Sequence, residues 1–355
     1  MNIVYLNYHA NSITGGHRYN DAFIDYLQKM NGEDIIKTPS CAMLYSSWRK
    51  IFSPFIELKR LRLFTKDSLV FWGDTSYKHH FLLALFAKLF KQIHSSIIIH
   101  HFSFLGETGI KKYLMLIPQF LYVSLLDDII VPSPYTLNVA QKLFPRKRIY
   151  YIPLPFKHDF SITKDFERGN LLFVGTVDER KGLSYLIDAL GYILKIKPDL
   201  VFTLNIVGKI IDQTYYEGLL VKIKRLRIED KVRFLGRVSE DKLKECYQKA
   251  EVFVFPSLLE GYGIVLVEAM SKGLPIVAFN NSAMPYSIVD GENGLLADNM
   301  DSSSFARKLL EIIGDEPYRI FLQAGMKKTV NKLKTQDDFE RGIKDYYYAI
   351  NNIEV

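Results

Sequence analysis

Two glutamates, Glu260 and Glu268, stand on either side of a glycine turn in the stretch 255–277. A carboxylate accepts paired hydrogen bonds from vicinal hydroxyl groups, which sugars and riboses carry. A helix that opens near Gly263 would point its unpaired first-turn N–H groups at an anion. The combination indicates a ligand that carries both hydroxyl groups and phosphate. Two solvated glutamates are the alternative, but the apolar neighbours of Glu268 leave it little exposed surface and argue against that interpretation there.

A pair of cations, Arg180 and Lys181, precedes Gly182 in a second segment that reads as strand, loop and helix. Lysine supplies a point charge and arginine a planar fork, which together suit a diphosphate. Cations at a helix start oppose the helix dipole, so their placement favours an anionic ligand over a merely solvated helix start.

Several common catalytic signatures are absent from the sequence. It contains neither Gly-x-Gly-x-x-Gly nor a P-loop, which argues against dinucleotide-dependent oxidoreductases and P-loop phosphotransferases. Gly-x-Ser-x-Gly and His-Glu-x-x-His are missing as well, which disfavours α/β-hydrolases and zinc proteases. No two aspartates stand at positions i and i+2, so the carboxylate pair by which many sugar transferases hold a divalent metal is not expected.

Short apolar runs alternate with segments of helical periodicity along the whole chain. Runs that are apolar throughout, joined by helices, predict parallel sheets covered on both faces, and hence two doubly wound α/β domains. We expect a domain over 1–160, a second over 161–335, and a final helix over 336–355 that packs back on the first. The predicted strands are 2–7, 68–72, 95–100, 128–132, 149–154, 170–174, 201–207, 232–235, 251–255 and 275–278.

The charge of the chain is unevenly distributed. Of the 355 residues, 1–160 hold 19 Lys+Arg and 11 Asp+Glu, a net +8, whereas 161–355 carry −1. Two cysteines cannot form a disulfide framework, which fits a reducing compartment. The N-terminus has no basic region before a long apolar run, and no window is apolar enough for a spanning helix. We expect a cytoplasmic protein, without a signal peptide, whose basic part meets an anionic partner.

The segment 46–66 interleaves cations with aromatic and aliphatic residues. Its cations include Lys59, Arg60 and Arg62, and its aromatic residues include Trp48 and Phe64. A basic amphipathic stretch of this kind suits an anionic membrane surface, which would place the protein peripherally on the cytoplasmic face. A solvated helix with its apolar side on the core explains the pattern equally well. Nucleic acid is not expected, because no nucleic-acid-binding motif accompanies the charge.

The spacing Glu260-x7-Glu268 within PSLLEGYGIVLVEAMSKGLPIVA resembles the signature of retaining glycosyltransferases of family 4. That resemblance implies the GT-B fold, in which two doubly wound Rossmann-like domains face each other across a cleft. It implies that Glu268 binds the ribose of a donor nucleotide and that Glu260 contacts the donor sugar. Sugar and phosphate would meet the backbone of Tyr262, Gly263, Ile264, Val265 and Leu266.

Other stretches resemble the same family. Arg180 and Lys181 correspond to its basic pair, which neutralises the leaving diphosphate, whereas Thr176 stands where many members carry an arginine. The resemblance places Gly236 and Val238 near the nucleotide base, although an ordinary strand-to-helix turn also explains them. In the first domain, Gly15 and Gly16 resemble a glycine loop that closes over the donor, and His100 matches a histidine that faces donor and acceptor. His101 stands at the position of a family aspartate.

The resemblance implies that a sugar moves from a nucleotide-diphospho-sugar to an acceptor hydroxyl with retention, and without a metal or cofactor. The acceptor would belong to polysaccharide, lipopolysaccharide or glycolipid assembly. A non-catalytic nucleotide-sugar-binding subunit and a glycoside hydrolase with Glu260 and Glu268 as its carboxylate pair are the alternatives; an epimerase or phosphorylase of the same fold is a lesser option. The sequence does not indicate the donor base, the acceptor or the oligomeric state.

Overall fold

The apolar runs form two six-stranded parallel sheets, one in each of two compact units. A computed structural model describes residues 2–8, 15–32, 34–39, 55–73, 77–91, 93–107, 109–162 and 165–351. Unit 1 comprises Met1–Phe156 and Lys334–Val355, and unit 2 comprises Lys157–Leu333. Each unit is α/β and doubly wound.

The sheet of unit 1 has the strand order β2-β1-β3-β4-β5-β6. Its strands are β1 (Asn2–Tyr8), β2 (Ile36–Pro39), β3 (Ser68–Gly73), β4 (His94–Ile98), β5 (Asp128–Val131) and β6 (Arg148–Tyr151). The helices between them are α1 (Gly15–Asn31), α2 (Tyr77–Phe86), α3 (Gly109–Leu125) and α4 (Pro134–Leu143). A π-helical turn, Ala87–Lys91, continues α2. Every residue of β3 is buried, as expected of a central strand that helices cover on both faces.

The sheet of unit 2 has the order β12-β11-β10-β7-β8-β9. Its strands are β7 (Asn170–Val174), β8 (Thr203–Val207), β9 (Val232–Gly236), β10 (Val252–Phe255), β11 (Ile276–Phe279) and β12 (Leu295–Ala297). Its helices are α5 (Leu183–Ile196), α6 (Gln213–Leu226), α7 (Glu240–Lys249), α8 (Ile264–Ser271), α9 (Met284–Ser287), α10 (Ser302–Ile312) and α11 (Glu316–Val330). Because β10 lies between β7 and β11, the loops that follow these three strands emerge side by side.

Side-chain caps determine where several helices begin. Asp212, Ser239 and Asp301 each accept a hydrogen bond from a backbone N–H group in the first turn of the helix that follows. These bonds satisfy donors that have no partner inside a helix. Capping by the residue directly before the helix therefore fixes the N-terminus of α6, α7 and α10.

The last helix, α12 (Gln336–Asn351), belongs to unit 1. Its Phe339, Ile343 and Tyr346 are fully buried, and the Tyr346 hydroxyl lies 2.6 Å from Ser96 Oγ on β4. The Phe156 N–H donates to the Lys334 carbonyl at 2.8 Å. The chain therefore leaves unit 1 and re-enters it at two paired segments, a few residues away from the sequence-based boundaries at 160 and 335.

Two strands and several strand ends differ from the sequence-based prediction; the strand predicted over 149–154, for example, ends at Tyr151. The four residues of β2, Ile-Lys-Thr-Pro, and the three of β12, Leu-Leu-Ala, are too short to form a recognisable apolar run, and both strands were missed. The strand predicted over 95–100 ends at Ile98, so His100 and His101 follow β4 instead of closing it. Pairing of β2 with β1 and of β12 with β11 stabilises these two short segments as strands.

The structure corrects one part of the basic segment 46–66, of which residues 46–54 fall outside the described ranges. Arg60 is buried: its Nε lies 2.7 Å from Glu57 Oε2, and its Nη1 donates to Thr38 Oγ1 at 2.8 Å. Phe64 is buried in the core. Arg60 is therefore not available to an anionic surface, and residues 55–66 fit the interpretation as a helix with its apolar side on the core.

In the described ranges, no helix combines the length and the apolar character that crossing a bilayer requires.

Candidate functional site

Most of the predicted site residues of unit 2 gather where β7, β10 and β11 end. Three loops meet there, over 175–182, 256–263 and 280–283. The carboxyl edge of an open parallel sheet is the usual place for a ligand, because neighbouring loops diverge there and helix N-termini point toward it.

Glu260 is the centre of a charged cluster in these loops. Its Oε1 lies 2.6 Å from Lys181 Nζ, 3.3 Å from an Arg180 guanidinium nitrogen and 2.8 Å from Ser257 Oγ. The carboxylate is largely buried, which opposes its ionisation. The charges of Lys181 and Arg180 and the hydrogen bonds from Lys181 and Ser257 outweigh burial, and they hold the pKa of Glu260 below its ordinary value. Glu260 is thus an anion between two cations.

Backbone contacts lock the two loops of this cluster together. The Leu258 N–H donates to the Arg180 carbonyl at 2.8 Å, and Arg180 Nη1 donates to the Leu259 carbonyl at 2.8 Å. Lys181 Nζ also lies 5.1 Å from the centre of the Phe255 ring. Arg180 and Lys181 are therefore held by the fold rather than solvated at a helix start. With Glu260 between them, the three groups carry a formal charge of +1, which Asp178, whose Oδ1 lies 4.0 Å from Arg180 Nε, brings to zero.

The close approach of the loops requires glycine at position 182. Gly182 has a φ of 67°, and a Cβ there would lie 2.0 Å from the Pro256 carbonyl oxygen. We expect Gly182→Ala to lower the free energy of unfolding by more than about 2 kcal/mol, because the clash adds to the cost of left-handed backbone. Gly236 is a matched control: it has the same φ of 67° and nothing within 4 Å of its Cβ position.

Gly236→Ala should therefore cost only the backbone term, about 1 kcal/mol. Urea unfolding of the full-length variants measures both values. Equal costs at the two positions would contradict the loop contact.

A polar loop after β11 supports Glu260 from its backbone side. The Glu260 N–H donates to Ser282 Oγ at 2.9 Å, and Asn281 Nδ2 donates to the Ser257 carbonyl at 3.1 Å. Ser282 adopts a φ of 44°, which is uncommon for a residue other than glycine. Sequence analysis missed Ser257, Asn281 and Ser282. The available signal was the polar run Asn280-Asn281-Ser282, which directly follows an apolar strand.

Helix α8 begins beside this cluster. Gly263, with a φ of 82°, stands at its N-cap, and the Leu266 N–H donates to the Gly263 carbonyl at 2.9 Å. The first-turn N–H groups of a helix have no intrahelical acceptor, so this end offers donors to an anion. Tyr262, Ile264 and Val265 are half-buried, whereas the Leu266 side chain is fully buried in the core. Leu266 can therefore meet a ligand only through its backbone.

Glu268 is exposed, contrary to the expectation from its apolar neighbours. Those neighbours, Leu266, Val267, Ala269 and Met270, are buried on the opposite side of α8. The helix presents a narrow open strip, and Glu268 lies on it. The Tyr247 hydroxyl donates to Glu268 Oε2 at 2.9 Å. Burial, together with the charge and the hydrogen bond of Glu268, raises the pKa of Tyr247 well above its ordinary value.

Tyr247 consequently stays protonated and orients the carboxylate of Glu268. Tyr247 was not predicted as a site residue, because a tyrosine in an amphipathic helix is typical of the hydrophobic core.

The remaining predicted residues of unit 2 lie along the same edge of the sheet. Thr176 follows β7, and its hydroxyl donates to Asp178 Oδ2 at 2.6 Å. Gly236 ends β9, which is separated from β7 by β8, and the half-buried Val238 packs against the core. None of the three contacts Glu260 in the described contacts.

Unit 1 brings its own predicted residues together. A Cβ on Gly16, in the first turn of α1, would lie 3.1 Å from the His100 ring. His100 Nε2 donates to Asn20 Oδ1 at 2.8 Å, and Asn20 Nδ2 donates to the Tyr5 hydroxyl at 3.2 Å. Gly16 thus leaves room for an imidazole that Asn20 orients. Asn20 was missed, although it lies one helical turn after Gly16 and shares its face.

Among the described residues, no three His, Cys, Asp or Glu side chains are grouped as ligands for a metal ion.

The two doubly wound parallel sheets place the chain in the GT-B structural class. Residues 156–329 match the sequence model of the family described as glycosyl transferases group 1. The match covers nearly the whole of unit 2.

Curated relatives match part of the chain. A D-inositol 3-phosphate glycosyltransferase of Corynebacterium diphtheriae is 32% identical over 150 residues, which are 42% of this chain and 35% of that protein. The O-antigen chain mannosyltransferase B of Escherichia coli is 31% identical over 157 residues, 43% of this chain and 39% of that protein. The matched regions span between 32% and 60% of the length of the curated relatives.

Solved structures resemble the whole chain. A sucrose-phosphate synthase from Thermosynechococcus elongatus aligns with a TM-score of 0.77 and 17% identity over 100% of both chains. Anabaena HepE in complex with UDP and glucose aligns with a TM-score of 0.73 and 15% identity over 98% of this chain and 100% of that one. At these identities the likeness shows the fold.

Proposed function

We propose that this protein transfers a sugar from a nucleotide-diphospho-sugar to an acceptor hydroxyl, with retention at the anomeric carbon and without a bound metal. The observation that carries the proposal is the cluster of Lys181, Arg180 and Glu260 beside the start of α8. It combines two cations within 3.3 Å of one ionised carboxylate, which stands three residues before the N-cap of a helix.

The cations and the helix N-terminus suit the leaving group. When the bond between the anomeric carbon and the diphosphate breaks, negative charge develops on the departing phosphate oxygens. Lys181 and Arg180 are already held in place by Glu260 and Leu259, so they need little reorganisation to stabilise that charge. The fold holds both cations beside the place proposed for the diphosphate, and Glu260 remains ionised between them. This electrostatic role is the one that a metal ion fills in other sugar transferases.

Glu260 suits the sugar itself. All three of its donors converge on Oε1. Its other oxygen, Oε2, is the one that would accept hydrogen bonds from a donor-sugar hydroxyl. The sugar gains positive, oxocarbenium-like charge during transfer, and an ionised carboxylate stabilises that charge better in a site from which water is excluded. We propose front-face attack by the acceptor, assisted by the leaving phosphate.

Glu268 suits the ribose of the donor nucleotide. It is exposed on α8, and its Oε2 already accepts from the Tyr247 hydroxyl. That bond fixes the carboxylate so that its remaining acceptor positions can receive two vicinal ribose hydroxyls. Gly236 and Val238, at the same edge of the sheet, are proposed as neighbours of the base, and His100 is proposed as the substrate-contacting side chain of unit 1.

The comparisons support sugar transfer as the type of reaction. The curated relatives carry the names of an inositol-phosphate glycosyltransferase and a mannosyltransferase, and the Anabaena structure holds UDP and glucose. We extend nucleotide-sugar binding from those proteins to this chain. Its acceptor is proposed to be a carbohydrate of polysaccharide, lipopolysaccharide or glycolipid assembly, used on the cytoplasmic side of a membrane.

The proposal is tested by a thermal-shift screen of UDP-, GDP- and dTDP-sugars on the full chain, followed by transfer assays with the sugar that binds. Binding with transfer to an added saccharide or lipid-linked acceptor supports the proposal. Fast hydrolysis of the donor that no acceptor suppresses would favour a hydrolase. Tight binding without transfer to any acceptor would favour a non-catalytic subunit.

We expect transfer to persist in excess EDTA, because Lys181 and Arg180 occupy the place where a metal would neutralise the diphosphate. The measurement compares initial rates before and after chelation, and after Mn²⁺ or Mg²⁺ is added back. A rate that collapses in EDTA and returns with either ion would show that the two cations are not sufficient.

A further inference from the structure

Helix α3 exposes a continuous stripe of apolar side chains. Ile110, Tyr113, Leu114, Ile117 and Leu121 are 76%, 61%, 66%, 58% and 49% exposed, respectively. Their spacing of i, i+3, i+4, i+7 and i+11 places them on one face of the helix. An isolated exposed leucine needs no explanation, but a contiguous apolar stripe of this length marks an interaction surface.

The opposite face of α3 is already used by the fold. Gln119, Tyr122 and Val123 are buried against unit 1, and from Tyr113 to Leu125 the helix contains no charged residue. A helix that is apolar all round is normally buried on all sides. In α3, the sheet side is covered and no described residue covers the other side.

The apolar surface continues onto the neighbouring helix. Leu89 and Phe90, in the π-helical turn after α2, are 62% and 69% exposed. Lys88 Nζ in the same turn donates to the Leu125 carbonyl at 2.8 Å, which places this turn beside the end of α3. A groove between the two helices is lined by Phe81, Glu107, Lys111, Leu114, Met115, Pro118 and Leu121.

Cations border this surface. Lys111 and Lys112 are exposed in the first turn of α3, where they oppose the helix dipole, and neither forms an ion pair with any residue that the structure describes. Lys91 lies at the other end of the surface. Glu107 is the only acidic residue among those that line the groove in the described part of the chain. Residues 1–160 carry a net +8.

An apolar stripe with a cationic border is complementary to an anionic lipid surface, which offers acyl chains beneath negative headgroups. A second copy of this chain fits less well, because a symmetric contact through α3 would bring the lysines of two basic units together.

We propose that the exposed face of α3, extended by Leu89 and Phe90, docks on an anionic lipid bilayer, with Lys111 and Lys112 at the headgroups. The inference does not rest on the proposed transfer activity. The proposed membrane contact is assigned to this exposed surface instead of the segment 46–66, whose Arg60 and Phe64 are buried.

Vesicle co-sedimentation of the full chain tests this proposal. Wild type should sediment with vesicles of phosphatidylcholine and phosphatidylglycerol, and more weakly with phosphatidylcholine alone. Ile117→Glu should lower the partition coefficient by about tenfold or more. It removes an apolar side chain that the bilayer would bury, and its charge is repelled by the anionic headgroups. Val221→Glu is the matched control: Val221 is 71% exposed on α6 of unit 2, and its replacement should leave binding unchanged.

Two further variants separate the contributions. Lys111→Glu with Lys112→Glu should remove the preference for anionic vesicles while weak binding to neutral ones persists. Ile117→Trp should add a fluorescence component that shifts to the blue with vesicles and is quenched by brominated lipid.

Failure of wild type to sediment with anionic vesicles, or sedimentation of Ile117→Glu at the wild-type level, overturns the proposal. A lipid-free wild-type dimer that Ile117→Glu converts to a monomer would assign the surface to a second copy and overturn it equally.

Discussion

Lys181→Met is expected to lower the free energy of unfolding by about 3 kcal/mol and to abolish sugar transfer. The variant leaves the largely buried Glu260 carboxylate without its nearest cation, and breaking a buried ion pair from one side costs about 3–5 kcal/mol. The lower end applies because Arg180 and Ser257 still contact the same oxygen. Urea unfolding of the full chain measures the stability change, and the donor screen and transfer assay measure the functional one.

A double variant separates the structural role of Lys181 from its role toward substrate. Lys181→Met with Glu260→Gln removes both charges, so it should recover most of the lost stability while transfer stays absent. If transfer also returned, the cluster would be a structural ion pair and the proposed function would lose its main support.

The pH dependence of stability provides an independent readout. The pKa of Glu260 is lowered in the folded protein, so its interaction with Lys181 contributes stability above the ordinary carboxyl pKa and loses that contribution as the pH falls through the folded value. The difference between wild type and Lys181→Met should therefore be largest near neutral pH and shrink below about pH 4. A difference that is constant with pH would mean that Lys181 stabilises the fold through packing alone.

Glu268→Ala is expected to weaken nucleotide binding by roughly 10- to 100-fold, the factor that corresponds to one lost charge-assisted hydrogen bond. Stability should fall by about 1 kcal/mol, because the buried Tyr247 hydroxyl loses its acceptor. Titration with the free nucleoside diphosphate and with the intact donor measures the effect, which should be similar for both ligands because both carry the ribose.

Two comparisons sharpen this prediction. Tyr247→Phe should weaken binding less than Glu268→Ala, since it frees the carboxylate without removing it. Glu240→Ala, an exposed glutamate on α7 of the same unit, should bind nucleotide like wild type. Wild-type affinity in Glu268→Ala would show that this carboxylate does not bind the ribose.

Most of the fold could be predicted from the sequence, because its central strands are apolar on both faces. Strands such as β3 and β10 are buried throughout, and that leaves an uninterrupted apolar run in the sequence. By contrast, β2 and β12 pair at the two sheet edges, where a few residues suffice and no run develops. A local apolar run in the sequence indicates a buried strand. The short strands β2 and β12 form because each pairs with a neighbouring strand, which no local run indicates.

The site was predicted in its parts but not in its contacts. Glu260 and Lys181 were each singled out, yet their 2.6 Å pairing joins residues 79 positions apart and depends on β7 lying next to β10. Strand order is a property of the whole sheet, so no local pattern encodes it. The exposure of Glu268 was mispredicted for a related reason, since its neighbours in sequence are buried on the other side of one helical turn.

The return of α12 to unit 1 has a consequence for how the protein is made. A ribosome completes residues 157–333 before it adds the helix that supplies Phe339, Ile343 and Tyr346 to the first sheet. Unit 2 can therefore reach its native structure during synthesis, whereas unit 1, although most of it is made first, must wait with an incomplete core. During that interval unit 1 leaves exposed the apolar surface that α12 later covers, and a nonsense mutation at residue 334 would damage the unit whose strands are synthesised before those of unit 2.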